Sequence, residues 1–302
     1  MINMNYYNKI KNKLIDNEIY QKVKDYSKER NTVITYFEIG KLLNEAGGKY
    51  GDNIIGKYSK KLMLEVGKKY NERTLRRMRQ FFVTFNNEKW STLSTKLSWS
   101  HYSELLSIKE EHKLYYYLNC AINQNIDVRG LRNKIKNKEY ERLDKETKNK
   151  LIIKKEENDV KDFIKHPILI KNNHNYKIIS EKILKQLILE DLDNFLSELG
   201  DGFTYLKQEY KIKIGGIYNY IDMLLYNIKY NCYIVVELKI TELKKEHIGQ
   251  IQIYMNYIDN NLKNIKQDKT IGIIICKKDN HFIMEYCSDE RIYNTTYELI
   301  NI

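Results

Sequence analysis

Charge stands inside two short apolar runs in the second half of this chain, and this constrains its fold more than any other feature. Asp222 interrupts Ile221-Asp-Met-Leu-Leu, and Glu237 and Lys239 end Ile234-Val-Val-Glu-Leu-Lys. Short runs of apolar and β-branched residues are the pattern of buried strands. A carboxylate in such a strand is costly unless a partner cation or a metal compensates it. Side chains two apart on a strand share a face, so Glu237 and Lys239 point the same way, and Asp222 on a neighbouring hairpin strand can join them. Two carboxylates supply the oxygen ligands that a hard ion such as Mg²⁺ takes. A nearby ammonium can steer a water toward phosphorus. The plainer alternative is a structural ion pair between Lys239 and a carboxylate.

Glu-x-Lys by itself decides nothing, because it recurs at Glu111-x-Lys113, Glu146-x-Lys148 and Glu242-x-Lys244 on helical or polar stretches. The order of elements is more specific. An Asp on a strand is followed by a hairpin, an apolar strand ending in Glu-x-Lys, and a helix on which Gln250 and Tyr254, four apart, share one face. Around these runs the pattern predicts a helix over 181–199 and strands over 203–214, 220–226 and 233–240, with Gly215-Gly216 as a turn. A helix over 246–262, a buried strand over 271–276 and a further strand over 281–287 complete it. This α-β-β-β-α-β-β order describes a mixed sheet flanked by helices.

The first half reads as helices. Apolar residues recur at helical spacing over 5–30, over 34–43 up to Gly47-Gly48, and over 53–66. After Gly67 a helix starts near Glu72, with Leu75, Met78, Phe81, Phe82 and Phe85 on one face and Arg73, Arg76, Arg77 and Arg79 around it. Helix, Gly-containing turn and arginine-rich helix make the outline of a helix-turn-helix. The planar guanidinium fork suits phosphate and guanine edges, so these four arginines are the nucleic-acid-contact candidates; the alternative is a solvated face. Ser98 or Ser100 can cap the helix that follows, and His101 beside aromatics reads as structural. Residues 109–126 look helical, and 129–157 read as one exposed, charged helix leading to a linker. His166-Pro167 ends that region, because the residue before proline avoids helical backbone. The boundaries that result are 1–157 for a basic helical domain and 158–302 for a strand-rich one.

Charge supports the division. Residues 1–150 hold 31 Lys and Arg against 18 Asp and Glu, a balance of +13, and the chain's net charge of +12 leaves −1 for the remainder. A lysine-rich genome would bias both halves alike, so the first half is expected to meet a polyanion. The four cysteines form neither C-x-x-C pairs nor zinc-finger spacing, which is a cytosolic pattern. The first twenty residues lack the apolar core of a signal peptide, and no segment approaches the length of a membrane span.

The stretch Asp222…Glu237-Leu-Lys239…Gln250-x-x-x-Tyr254 resembles the PD-(D/E)XK nuclease superfamily, and nearly the whole chain is similar to the two-domain YhcG-type bacterial proteins. In the first half the similarity rests on Tyr36-Phe-Glu-Ile-Gly40, Thr74-Leu-Arg-Arg-Met-Arg79-Gln-Phe-Phe and Leu97-Ser-Trp-Ser-His-Tyr102. In the second it rests on Phe195-Leu-Ser-Glu-Leu-Gly200, Ile221-Asp-Met-Leu-Leu-Tyr226, Val236-Glu-Leu-Lys239, Gly249-Gln250 and Ile271-Gly-Ile-Ile-Ile-Cys276. The resemblance implies an α+β two-domain protein. A mostly helical, winged-helix-like or helix-turn-helix DNA-binding domain would precede a restriction-endonuclease-like α/β domain with a mixed central sheet. It implies a cytoplasmic endonuclease acting on DNA with Mg²⁺ (or Mn²⁺). Asp222 and Glu237, with the Leu238 carbonyl, would hold the metal. Lys239 would position the attacking water and stabilise pentavalent phosphorus, Gln250 would orient the nucleophile or the lysine, and Tyr254 would support the site. Glu181 or Glu198 would supply an extra carboxylate. The family's acidic position on the first helix is Leu184 here, and its proline before the first Asp is Ile221. A homodimer and a subunit of a restriction system both fit the family. The rival readings are a nucleic-acid-binding protein that keeps the nuclease fold as a scaffold, and an RNA-directed nuclease.

Overall fold

The computed structural model describes residues 4–22, 28–46, 53–86, 97–153 and 159–301. The chain divides into two compact units, Met1–Tyr140 and Glu141–Ile302. The boundary expected at 157/158 and the helix stop expected at Gly47-Gly48 lie outside the described residues.

In the first unit, α1 (Met4–Lys22), α2 (Lys28–Ala46), α3 (Ile54–Glu65) and α4 (Glu72–Phe85) are followed by α5 (Trp99–Leu105), α6 (Glu111–Asn123) and α7 (Val128–Lys136). The apolar stripes of α1 to α4 close on one core that holds Ile10, Leu14, Ile39, Leu43, Tyr58, Leu62, Leu75 and Met78. Helix α4 starts where Asn71 accepts a hydrogen bond from the Thr74 N–H at 3.1 Å. Gly40 explains part of its own motif: a Cβ there would lie 2.1 Å from the Met78 carbonyl oxygen, so α2 and α4 approach this closely only without a side chain at 40. Helix α3, residues 66–71 and α4 reproduce the helix-turn-helix outline. The described residues of this unit include no strand, so a wing has no counterpart among them.

The single helix expected over 129–157 does not form. Helix α7 ends at Lys136, the chain turns through Lys138 at φ 52°, and α8 (Lys145–Ile153) begins afresh. Buried polar contacts hold this turn. Lys134 and Glu139 form an ion pair at 3.1 Å, and the Tyr117 hydroxyl donates to the Lys134 carbonyl at 3.3 Å and accepts from the Tyr140 N–H at 3.2 Å.

The second unit is built on six strands: β1 (Ile168–Lys171), β2 (Phe203–Ile214), β3 (Ile217–Asn227), β4 (Cys232–Glu242), β5 (Ile271–Lys278) and β6 (Ile292–Ile300). Their order in the sheet is β1-β6-β5-β4-β3-β2. Strands β2, β3 and β4 run antiparallel, and β4, β5, β6 and β1 pair in parallel. Gly215 and Gly216, both at positive φ (54° and 87°), form the two-residue loop of the β2–β3 hairpin. Helices α9 (Glu181–Glu190) and α10 (Leu192–Leu199) contribute Leu184, Leu187, Ile188, Phe195 and Leu199 to one core, which meets Met223, Leu225, Ile234, Val236 and Leu238 of the sheet. Helix α11 (Lys245–Asn261) contributes Ile251, Tyr254, Met255 and Ile258 to another, which meets Leu224, Val235 and Ile274.

Two expectations in this unit are corrected. The helix over 181–199 is two helices, because Asp191 (φ −136°, ψ 55°) leaves the helical region between them. The strand over 281–287 is instead α12 (His281–Glu285) and the turn after it. Phe282 and Tyr286, four apart, are exposed, while Ile283 and Cys287, also four apart, pack on the α11-side core. That is a helical period, which an apolar run this short does not distinguish from a strand. The remaining strands are β6 and the four-residue β1, neither anticipated.

Candidate active site

Strands β3 and β4 pair from Asn227–Cys232 to Met223–Val236. Beyond that pair they part company. Strand β3 continues against β2 to its start at Ile217, while β4 continues against β5 through Lys239–Cys276. Asp222 and Glu237 are the first residues past the last ladder pair, so each strand there has a backbone N–H that the other strand's ladder does not use. The two carboxylates take them. The Asp222 N–H donates to Glu237 Oε1 at 3.3 Å, and the Leu238 N–H donates to Asp222 Oδ2 at 2.9 Å. Divergence of the strands thus seats both side chains reciprocally on backbone. Glu237 is 1% and Asp222 8% exposed.

Two lysines balance the carboxylates. Lys239 Nζ donates to Glu237 Oε2 at 3.0 Å. Lys185, from α9, lies 2.7 Å from Asp222 Oδ1 and 3.4 Å from Glu209. Burial and the charge of Asp222 push the Glu237 carboxyl up to about 7, against the pull of Lys239. Burial opposes the charge on Lys239, but Glu237, Asp222 and Glu181 overcome it and raise the ammonium above its ordinary value. Lys185 is raised in the same way, with Asp222 and Glu209 outweighing burial. Glu181, one turn before Lys185 on α9, is therefore within electrostatic reach of the centre.

Helix α11 begins three residues after β4 ends. Burial and the charges of Lys239 and Lys244 lower the His247 imidazole, which places the first turn of α11 near Lys239. One turn on, Gln250 Nε2 donates to the Tyr254 hydroxyl at 3.1 Å, and Tyr254 is buried in the α11-side core. Among the described residues no group of three or more His, Cys, Asp or Glu side chains forms a ready metal cage.

Residues 161–300 match the family model of the YhcG PDDEXK nuclease domain, and residues 11–142 match that of the DUF1016 N-terminal domain. Residues 161–300 thus carry a YhcG-type PDDEXK nuclease domain. The chain is 24% identical over 283 residues to "Putative nuclease YhcG" of Escherichia coli (strain K12), covering 80% of this chain and 76% of that protein. Among solved structures it is similar to a repair endonuclease from Pyrococcus abyssi (18% identity, TM-score 0.30, 40% of this chain and 48% of that one). It is also similar to an EndoMS–dsDNA2 complex (18% identity, TM-score 0.31, 41% and 48%). The chain spans about half the length of these solved structures.

The placement of the other candidate residues is uneven. Glu198 is not brought to Asp222 or Glu237. It is buried in a bidentate pair with Arg142, with Nη2 to Oε1 at 2.9 Å, and accepts the Leu169 N–H at 3.0 Å. In the first unit, Arg73 and Arg76 are exposed and Arg77 and Arg79 half-buried. Arg76 pairs with Glu72, Nε to Oε1 at 2.9 Å. His101 is structural: Nδ1 sits 2.9 Å from Ser98 Oγ and Nε2 is 3.0 Å from the Ile126 carbonyl oxygen, so both ring nitrogens are engaged. Lys185 was not anticipated. Its sequence signal is faint, a lysine one turn after Glu181 on an amphipathic helix. No helix among the described residues is long and apolar enough to cross a membrane.

Proposed function

We propose that the carboxy-terminal unit is a divalent-metal-dependent endonuclease acting on DNA, with Asp222, Glu237 and Lys239 as its reactive centre. The observation that carries this reading is the reciprocal seating of two buried carboxylates where β3 and β4 diverge. Their mutual repulsion, which helps push Glu237 upward, is the field that an added cation relieves. All donors there are hard oxygens, which fits Mg²⁺ or Mn²⁺. Asp222, Glu237 and the Leu238 carbonyl would hold the ion, with Glu181 as the extra carboxylate. When bound, it would supply Lewis-acid polarisation of a phosphoryl oxygen.

The chain's own residues do the rest. Lys239, raised and therefore charged at neutral pH, is a donor and not a base: it orients the attacking water and stabilises charge that develops on phosphorus. Gln250 aligns the water or Lys239, and the Tyr254 hydroxyl fixes the Gln250 amide. DNA is preferred over RNA because a helix-turn-helix outline with arginines on its second helix suits a duplex groove. One observation favours a second reading. Lys185 and Lys239 already balance both carboxylates, as they would in a scaffold that binds nucleic acid without cutting it.

Glu237→Gln separates the two. It is expected to keep fold and DNA binding and to lose Mg²⁺-dependent cleavage of a plasmid. Cleavage retained at wild-type rate removes Glu237 from the centre.

A further inference from the structure

The β2–β3 hairpin carries a chemistry that the reactive centre does not use. One of its faces packs inward, with Ile212 and Ile221 buried in the α11-side core and Tyr210 and Ile214 against it. On the other face the register sets Lys211 opposite Tyr220 and Lys213 opposite Tyr218. Both lysines are exposed, and the two phenol rings are 54% and 52% exposed. Lys211 Nζ stands 3.7 Å from the centroid of the Tyr218 ring, so ammonium and ring form one surface. Tyr220 is two residues from Asp222. Farther along β2, a groove of about 450 Å³ between α9 and β2 is lined by Lys182, Lys185, Gln186 and Gln208, with Leu189, Glu190 and Glu209 completing it. It shares Lys185 with the centre.

We propose that this lysine–tyrosine face and the adjoining groove bind an unpaired nucleic-acid strand next to the scissile phosphate, so that the substrate class is DNA with a single-stranded segment at the cleavage point. The proposal rests on the nuclease reading. Lysines spaced along a strand neutralise successive phosphates. Exposed rings reward a base only when its face is free, and in a duplex both faces are covered by stacking. Alternating cations and rings therefore select unpaired over paired DNA. A protein partner is disfavoured because the face holds ammonium groups beside a centre built for phosphodiesters.

The test is equilibrium binding of the full chain, without divalent metal, to fluorescein-labelled single-stranded, 5′-flap and blunt-duplex DNA. Tyr218→Ala with Tyr220→Ala is expected to weaken binding of the single strand and flap by about tenfold, and of the duplex by less than about twofold. Tyr218→Phe with Tyr220→Phe should bind like wild type. Lys211→Ala with Lys213→Ala should weaken single-strand binding and lower its log–log salt slope by about 1 to 2. Equal melting temperatures establish that the variants fold, and Tyr218→Gln with Tyr220→Gln replaces the alanine pair if it does not. Flap and duplex affinities that move together, or not at all, in a folded tyrosine variant overturn the proposal. Cleavage by wild type that persists alongside that result leaves the nuclease reading intact. Absence of wild-type cleavage on every substrate counts against the nuclease reading, while the binding comparison still decides what the hairpin does.

Discussion

Glu237 concentrates the electrostatics of the centre. Its carboxyl is pushed from an ordinary 4.5 up to about 7, first by burial and then by Asp222. Between those values the folded chain holds a proton that the unfolded chain has released. Stability contributed by this group is therefore present at low pH and is lost as pH rises through the folded value. The metal-free protein should lose up to about 3 kcal/mol from this source across that window. The check is its melting temperature against pH beside that of Glu237→Gln, which lacks the titration; a difference that stays constant from acid to neutral pH contradicts the assignment. Asp222, Glu237 and Lys239 were legible in the sequence because charge in an apolar strand is anomalous whatever the fold. Lys185 was not, because a lysine on an amphipathic helix is ordinary until a fold brings it to Asp222. Glu198 looked available for the converse reason: its partner, Arg142, lies 56 residues away in sequence.

At the level of elements, the divergence of β3 from β4 brings the two candidate carboxylates together, and sequence periodicity carries no trace of it. Both strands were readable as apolar runs, but where their ladder stops depends on how each follows its other neighbour, β3 along β2 and β4 along β5. Similar non-local causes hid the rest. The turn after α7 is held by a buried Lys134–Glu139 pair, and α12 is held by packing on the α11-side core. Strand β1 is too short to show a period. The Arg142–Glu198 pair links α10 to β1, through the Leu169 N–H, and to the segment after Tyr140. Glu198→Ala removes the carboxylate from a buried guanidinium that keeps only neutral partners such as the Pro167 carbonyl, and should cost about 3–5 kcal/mol in urea unfolding. A loss below about 1 kcal/mol would show that the pair is dispensable and reopen a role for Glu198 elsewhere.

For the whole molecule, the charge division visible in the sequence corresponds to two families joined in one chain, a basic helical unit and a nuclease unit. Arg76→Ala with Arg77→Ala should weaken duplex DNA binding and lower its log–log salt slope by up to about 2. Superimposable binding curves at several salt concentrations would make the arginine face of α4 a solvated surface. Such a result would not bear on the centre proposed around Asp222, Glu237 and Lys239. The most direct measurement is Mg²⁺-dependent cleavage of duplex, branched and single-stranded DNA and of RNA by wild type and by Lys239→Ala. Wild type is expected to cut DNA, with cleavage abolished by chelation and reduced by at least about a hundredfold in Lys239→Ala. Equal cleavage by both proteins, or DNA bound by both and cut by neither, would contradict that expectation.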